Sequence, residues 1–203
     1  MSKRILITFG GRAYDRQIAV QSAACKSLGI EHRVYDDRWL IGTPFYTDNR
    51  WIFDRQPQHG FGFCSWKPYI IRHALDHFAE PGDVVMYLDA DTYPVADFRC
   101  LFEHLDRGTA ARERLMMLFE EQGCVNKTWI RRECFERMMV DERYKEDMVA
   151  CGRFQLFTVS PLLLGVFFDQ WQRYSLDPLC TFHEGSTEGG DDPSFIRSSC
   201  EQA

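Results

Sequence analysis

The sequence predicts an α/β protein in which a mostly parallel sheet carries helices on both faces. Short apolar runs of strand length, RILITF at 4–9 and DVVMYL at 83–88, are separated by segments whose apolar residues recur at helical spacing. Strands that alternate with helices form parallel sheets, and ligands bind such sheets at the carboxyl ends of the strands. A chain of 203 residues can bury one core but is too short for two ordinary enzyme domains. We therefore expect a single domain over 1–203.

The first half of the chain contains two predicted strands with a helix between them. The strand at 4–9 ends at Gly10-Gly11, and the helix that follows is expected to end at Gly29, because glycine favours helix C-termini. A second strand is predicted at 32–35. Residues 36–64 are rich in aromatic residues, glycine and proline and have no clear period, so we predict a long ordered loop; such loops are commonly functional.

The middle of the chain predicts a helix, a buried strand and another helix. Ser65 is a candidate cap for the first helix, with Pro68 in its first turn and a Glu-Pro-Gly stop at 80–82. The run at 83–88 suits a strand that is buried on both faces. The next helix is expected to place four apolar residues on one face, namely Phe98, Leu101, Phe102 and Leu105. Later elements are predicted as a strand at 114–119, a helix at 129–140, a strand at 153–159 and a helix at 161–176.

Charge and hydropathy exclude two classes of partner. Lysine and arginine total 24 against 30 acidic residues, the formal net charge is -6, and no basic cluster is present that would neutralise a run of phosphates, so we expect no nucleic-acid partner. The longest strongly apolar stretch, at 161–168, is far shorter than the roughly 20 residues that cross a bilayer. We predict no transmembrane segment. The amino terminus also lacks the features of a secretory signal, which favours a cytoplasmic protein.

The eight cysteines are scattered, and none forms a C-x-x-C pair. This spacing excludes zinc-ribbon and thioredoxin-type sites. An even number of cysteines permits disulfides in a secreted protein, whereas apolar neighbours favour buried free thiols. We favour free thiols and a reducing compartment.

The segment YLDADTYPV at 87–95 contains the strongest candidate for a site, because an apolar strand ends in two carboxylates at positions i and i+2. Strand alternation predicts that Asp89 and Asp91 point to the same face. There they can share Mn²⁺ or Mg²⁺, a hard cation that also binds the oxygens of a diphosphate. The alternative is that one aspartate caps the next helix or begins a turn. Two adjacent like charges are costly to bury without a cation, which favours the metal site.

Residues 66–98, WKPYIIRHALDHFAEPGDVVMYLDADTYPVADF, resemble the D-x-D region of GT-A glycosyltransferases, especially the glycogenin-like and bacterial surface-polysaccharide transferases. The preceding GFGFCS at 60–65 resembles the glycine-and-aromatic stretch before W-K-P in one such bacterial group. A weaker resemblance in strand order extends over most of the chain. The resemblance implies a GT-A, Rossmann-like fold. It also implies transfer of a sugar, of the hexosyltransferase type, from a nucleotide-diphosphate sugar to a glycan or another hydroxyl acceptor.

The same resemblance implies roles for individual residues. Asp89 and Asp91 would bind the metal and, with Ala90 between them, the donor. Lys67 would approach the phosphates or sugar of the donor, although a lysine without such a role is an open alternative. The base and ribose would bind at the end of the first strand, at Thr8, Phe9 and Gly10. Gly10-Gly11 is alternatively only a tight turn. For Trp66 we favour core packing over a wall that stacks on the sugar.

The later part of the chain departs from the family pattern. VACGRF at 149–154 resembles a strand entry that often carries Asn, but here Ala150 takes that place. GGDDPSF at 189–195 resembles the D-Q-type segment near the acceptor or reacting sugar, with Pro193 where Gln is common. Asp191 and Asp192 are the candidate catalytic residues.

Related transferases usually continue beyond this length, so we expect a fragment or a shortened variant. His183-Glu184 is a candidate substitute metal ligand, although a histidine in a polar loop is more often only solvated.

Three other functions compete with glycosyl transfer. A non-catalytic nucleotide-sugar-binding homologue is consistent with the departures at Ala150 and Pro193. A haloacid-dehalogenase-type phosphatase also uses an aspartate pair after a strand, but Thr92 is three places after Asp89 where that D-x-D-x-T pattern needs four. A glycosidase needs carboxylates on either side of a sugar, which neighbours on one strand seldom provide.

Overall fold

The computed structural model describes residues 2–55, 60–110, 115–181 and 190–196. At its centre is a five-stranded sheet in the order β2-β1-β3-β5-β4. β1 pairs in parallel with β2 and β3, whereas β5 is antiparallel to both of its neighbours. The predicted α/β class is confirmed. The sheet is mixed, because β5 alone among the described strands runs against the others. The strands are β1 (Arg4–Phe9), β2 (Glu31–Tyr35), β3 (Val84–Leu88), β4 (Met116–Val125) and β5 (Met148–Thr158).

The first strand-helix-strand unit forms as the sequence predicts. The apolar centre of β1 is buried, and a short 3₁₀ turn leads into α1 (Asp15–Leu28). Gly29 ends α1 in the left-handed conformation, at φ 69°, and its N–H donates to carbonyls of the last turn. In the parallel register Phe9 lies beside Tyr35. The carboxyl ends of β1 and β2 are therefore neighbours.

The described part of 36–64 is a series of short helices where the sequence predicted a long ordered loop. The side chain of Asp36 accepts a hydrogen bond from the Trp39 N–H, and Thr43 accepts one from the Tyr46 N–H, so both cap helix N-termini. Each helix has only four or five residues, which is too short to produce a helical period in the sequence. The helices are α2 (Asp37–Ile41), α3 (Pro44–Asp48), α4 (Arg50–Phe53) and α5 (Gly60–Phe63).

Two longer helices, α6 (Lys67–Phe78) and α7 (Arg99–Ala110), cover opposite faces of β3. Every residue of β3 is buried, as the sequence predicts. α6 contributes Ile70, Ile71, Ala74 and Leu75 to the apolar cluster on one face, and α7 contributes Phe102 and Leu105 to the cluster on the other. The predicted cap was wrong, because α6 begins at Lys67 and has no side-chain cap, and the buried hydroxyl of Ser65 has no partner among the described residues.

The second half of the chain keeps the predicted order of elements but changes their lengths. β4 and β5 both extend beyond their predicted bounds, and the predicted helix at 129–140 is divided into α8 (Asn126–Trp129) and α9 (Arg132–Met138). The helix predicted at 161–176 is present with a π-helical section at Leu163–Phe167, which continues as α10 (Phe168–Ser175). A 3₁₀ turn, Glu142–Glu146, precedes β5, and α11 (Pro178–Thr181) follows α10.

The described helices and cysteines have two further properties. No helix in the described ranges is long and apolar enough to cross a membrane. The seven described cysteines are free, and Cys25, Cys134 and Cys180 are buried. Burial raises the pKa of Cys25 to about 11, which keeps this thiol protonated at neutral pH.

Candidate functional site

A cavity of about 430 Å³ lies where β1 and β3 end. Parallel strands of an α/β sheet commonly present ligand sites at this edge. Aromatic side chains and backbone at glycines form much of its wall, and three aspartates contribute its carboxylates. The lining residues are Phe9, Gly10, Gly11, Tyr14, Asp37, Phe61, Cys64, Trp66, Tyr87, Asp89, Ala90 and Asp91.

The two aspartates of the D-x-D sequence both line this cavity, but strand alternation is not the reason. β3 ends at Leu88, and a turn follows in which the Thr92 N–H donates to the Asp89 carbonyl at 3.0 Å. We call residues 89–92 the aspartate turn. The Asp91 carboxylate is exposed, and its Oδ1 accepts a bond from the Thr92 hydroxyl at 3.2 Å. The turn, rather than the pleat of the strand, therefore brings the two carboxylates to one cavity.

Asp89 is held by groups from three elements. Its N–H donates to the Arg153 carbonyl of β5 at 2.9 Å. Its Oδ1 accepts from the Tyr87 hydroxyl at 2.5 Å and from Lys67 Nζ at 3.2 Å. Both of these hydrogen bonds reach the same carboxylate oxygen, Oδ1.

Lys67 forms a buried ion pair with Asp89 at the base of the cavity. The lysine side chain is 1% exposed, and its ammonium also donates to the Gly152 carbonyl at 2.8 Å. Nζ lies 4.8 Å from the centre of the Tyr87 ring. A buried ammonium is tolerated when it is paired and hydrogen-bonded, as it is here. Lys67 does not line the cavity directly and acts on it through Asp89.

The end of β1 contributes two of its three predicted donor residues to the cavity. Phe9 stacks on Trp66 with ring centres 3.9 Å apart, and Gly10 lies against Ala90 of the aspartate turn. Thr8 is fully buried, is absent from the lining, and its hydroxyl has no partner among the described residues.

Trp66 both packs and lines the cavity. It is 5% exposed, and its indole N–H donates to the Phe61 carbonyl at 2.9 Å. The segment beside it has an uncommon backbone, since Phe61, Phe63 and Cys64 all have positive φ. Strained backbone of this kind occurs at ligand sites when surrounding packing supports it.

Several lining residues carry no signal in the sequence that would identify them. Asp37 is the clearest case, because it is one of several aspartates in an aperiodic segment and reaches the cavity only because β2 lies beside β1. Tyr14 and Phe61 come from separate short elements. Tyr87 can be found from its position two residues before Asp89, because strand alternation places residues at this spacing on the same face.

The carboxylates of the aspartate turn fit a hard divalent cation. Mn²⁺ and Mg²⁺ prefer oxygen ligands, and Mg²⁺ in phosphate sites is commonly held by only one or two carboxylates together with phosphate and water. The described residues contain no group of three or more histidine, cysteine or acidic side chains that could hold a metal. A cation at Asp89 and Asp91 would thus complete its ligand shell with water or with oxygens of a substrate.

Asp191 and Asp192, the predicted catalytic residues, line a different cavity of about 460 Å³ beside α8 and α9. Asp191 Oδ1 accepts a bond from the Arg132 N–H at 3.0 Å. Asp192 Oδ1 accepts from both the N–H and the hydroxyl of Ser194, and these bonds lower the pKa of Asp192. No described residue lines both this cavity and the one at the aspartate turn. His183-Glu184 lies outside the described residues.

Comparisons with known proteins give only distant structural similarity. No family model matches the chain, and no curated protein matches it. A glycosyltransferase involved in the glycosylation of the major capsid of PBCV-1 is 15% identical, with a TM-score of 0.42, over 83% of this chain and 65% of its own. Mouse xyloside xylosyltransferase 1 is 10% identical, with a TM-score of 0.47, over 88% of this chain and 73% of its own. At these values neither similarity assigns a function.

Proposed function

We propose that this chain is a metal-dependent glycosyltransferase. It would move a sugar from a nucleotide-diphosphate sugar to a hydroxyl group of a glycan or another acceptor. The observation that carries this proposal is the position of Asp89 and Asp91 at the end of a central strand, in one cavity with the end of β1. The GT-A resemblance of 66–98 points to the same activity.

The cavity has features that suit a nucleotide-sugar donor. Its volume of about 430 Å³ lies within the usual range for small-molecule sites. Phe9, Tyr14 and Phe61 offer flat apolar surface to a base, and the backbone at Gly10 and Gly11 allows close approach. The three carboxylates would repel a diphosphate unless a cation were present. This charge pattern favours a donor that binds together with its metal.

Asp89 and Asp91 would hold the metal. A bound divalent cation offsets the negative charge on a departing diphosphate. Lys67 and Tyr87 fix the orientation of Asp89 by binding Oδ1, so this carboxylate needs little reorganisation when the donor arrives. The ammonium also reduces the local negative charge beneath the metal.

We propose that Asp191 and Asp192 act on the acceptor rather than on the donor. Their cavity shares no described lining residue with the one at the aspartate turn, so we assign them to binding the acceptor rather than to proton transfer at the reacting centre. Replacement of either by Asn should lower transfer to acceptor while leaving donor hydrolysis and binding near parent values.

A non-catalytic nucleotide-sugar-binding protein is the second candidate. It is favoured by the small number of candidate metal ligands, since the described residues add no third metal-binding side chain to the aspartate pair. It is also favoured by the ion pair that already neutralises Asp89. Such a protein would bind the donor with metal and would not turn it over.

The proposal is tested with a panel of nucleotide sugars, with and without Mn²⁺. A donor should raise the melting temperature only when metal is present, and it should be hydrolysed slowly without acceptor. Asp89→Asn and Asp91→Asn should abolish both effects. Asp97→Asn is the matched control, because Asp97 is an exposed carboxylate a few residues along the same segment that does not line the cavity.

Each alternative gives a different result in the same experiment. Metal-dependent binding without hydrolysis or transfer would favour the non-catalytic protein. Release of inorganic phosphate from phosphomonoesters would favour the phosphatase. No donor response, with identical behaviour of the aspartate variants and the parent, would reject the proposed function.

A further inference from the structure

Gln21, in the middle of α1, makes contacts that its position in the sequence does not explain. The side chain is fully buried on the helix face that also carries Cys25, which belongs to an apolar cluster. Its Nε2 donates to the Asp89 carbonyl at 2.9 Å and to the Thr92 carbonyl at 2.5 Å. Both N–H groups of the amide are therefore used on the aspartate turn.

The carbonyl oxygen of the same amide indicates that packing alone does not explain a glutamine at this position. Gln21 Oε1 is buried and has no hydrogen-bond partner among the described residues. A buried acceptor without a partner destabilises the fold, and an apolar side chain of similar shape would avoid that cost. A role at the turn gives a reason for glutamine at this position.

The two carbonyls that Gln21 binds belong to the first and last residues of the aspartate turn. The Thr92 N–H also donates to the Asp89 carbonyl, so the amide bridges the two ends of a closed turn. On another side, Ala90 packs against Gly10. The backbone that carries both carboxylates is thus held from α1 and from β1.

We infer that Gln21 is a positioning residue, which fixes the aspartate turn so that Asp89 and Asp91 present their carboxylates to one cation. The inference rests on the proposed function. Among the described residues, the hydrogen bonds of its side chain go to main-chain carbonyls, so Gln21 is not a catalytic residue. Its effect is to reduce the rearrangement that the turn would otherwise need when the cation binds.

The test compares Gln21→Met with Cys25→Ala. Methionine keeps the length and helix preference of glutamine but cannot donate to the carbonyls. Cys25 is equally buried, one helical turn along the same face, and belongs to an apolar cluster, so its replacement reports general loss of packing. Mn²⁺ binding to the full chain is measured by titration without donor, and hydrogen exchange is measured at the Thr92 amide.

We expect Gln21→Met to weaken Mn²⁺ binding about 10-fold, as the loss of a group that orients metal ligands typically does. Exchange at the Thr92 amide should become faster, because the turn loses its support from α1. Cys25→Ala should leave Mn²⁺ affinity within about two-fold of the parent even where its melting temperature falls further. If Gln21→Met does not fold, Gln21→Asn, whose amide is shorter by one methylene, takes its place with the same expectations.

The outcomes separate this inference from the proposed function. If the parent binds no Mn²⁺ in this titration, the positioning role is overturned, whereas the proposed function is decided separately by the donor panel. If the parent binds Mn²⁺ and the Gln21 variant binds it equally well, or no worse than Cys25→Ala, the positioning role alone is overturned. Weaker binding with faster exchange at Thr92, confined to the Gln21 variant, supports it.

Discussion

Gly10 lies against the methyl group of Ala90, so β1 and the aspartate turn meet at two of the smallest side chains in the chain. A Cβ at Gly10 would lie 2.8 Å from Ala90 Cβ and 3.0 Å from Ile18 Cδ1. The backbone of Gly10 does not have positive φ. Glycine is therefore required here for space rather than for conformation.

Gly10→Ala should lower the free energy of unfolding by about 1–3 kcal/mol, because the added methyl forces the turn or α1 to move. Urea denaturation measures this change. Gly11→Ala is the control, since its backbone is extended and the nearest atom, Asp37 Oδ1, is 3.7 Å from the new Cβ. Equal losses in the two variants would contradict the steric argument.

The sequence predicts single residues well where the partners are close in the chain. Asp89 and Asp91 are two positions apart, so their pairing can be inferred before the fold is known. Lys67 is 22 positions from Asp89, and Gln21 is 68 positions from it. Those contacts depend on how α6 and α1 pack on the sheet, and no local pattern specifies them.

Asp83 connects the beginnings of β1 and β3, at the end of these strands that is away from the cavity. Its Oδ1 accepts from the Lys3 N–H at 2.6 Å, just before β1, and its Oδ2 accepts from the Glu80 N–H at 2.9 Å, in the turn after α6. The residue is 6% exposed. One carboxylate therefore satisfies a backbone donor just before β1 and another in the α6–β3 connection.

Asp83→Ala should lower the free energy of unfolding by about 2 kcal/mol, because two shielded N–H groups lose their acceptor. Asp83→Asn keeps one acceptor oxygen and should lose less. Chemical denaturation gives both values, and the response to Mn²⁺ should not change in either variant. A weaker Mn²⁺ response in Asp83→Asn would mean that this end of β3 is coupled to the aspartate turn.

At the scale of elements, sequence prediction succeeds where an element is long enough to repeat its pattern. β1, β3, α6 and α7 all carry apolar residues at a clear spacing, and each is present. The short helices of 36–64 are specified by caps at Asp36 and Thr43 rather than by periodicity. The reversed direction of β5 depends on pairing with strands that are distant in sequence, so no local signal predicts it.

At the scale of the molecule, two histidines on opposite faces of the sheet connect stability to pH. His32 pairs with Leu6 in the β1–β2 register, and its ring is hydrogen-bonded to Ser22 of α1. His73 of α6 is hydrogen-bonded to the Tyr35 hydroxyl on the other face and stacks on His77. Burial lowers the pKa of both histidines below the ordinary value of 6.5, and His77 adds to the effect at His73.

The native state therefore binds fewer protons than the unfolded state just below pH 6.5, and stability should fall as the pH decreases through this value. Urea midpoints at pH 7.5 and 5.5 measure the loss. The double variant His32→Gln, His73→Gln should show a smaller loss between these two pH values than the parent. An unchanged loss would mean that other groups control stability in this range.

β5 contributes backbone acceptors that hold Lys67 and Asp89 in place. The Gly152 carbonyl accepts from Lys67, and the Arg153 carbonyl accepts from the Asp89 N–H. Every amino acid provides the same carbonyl, so evolution can exchange side chains along this stretch while the acceptors remain in place. Distant relatives that descend from an ancestor with this arrangement would share the backbone path here rather than the amino-acid sequence.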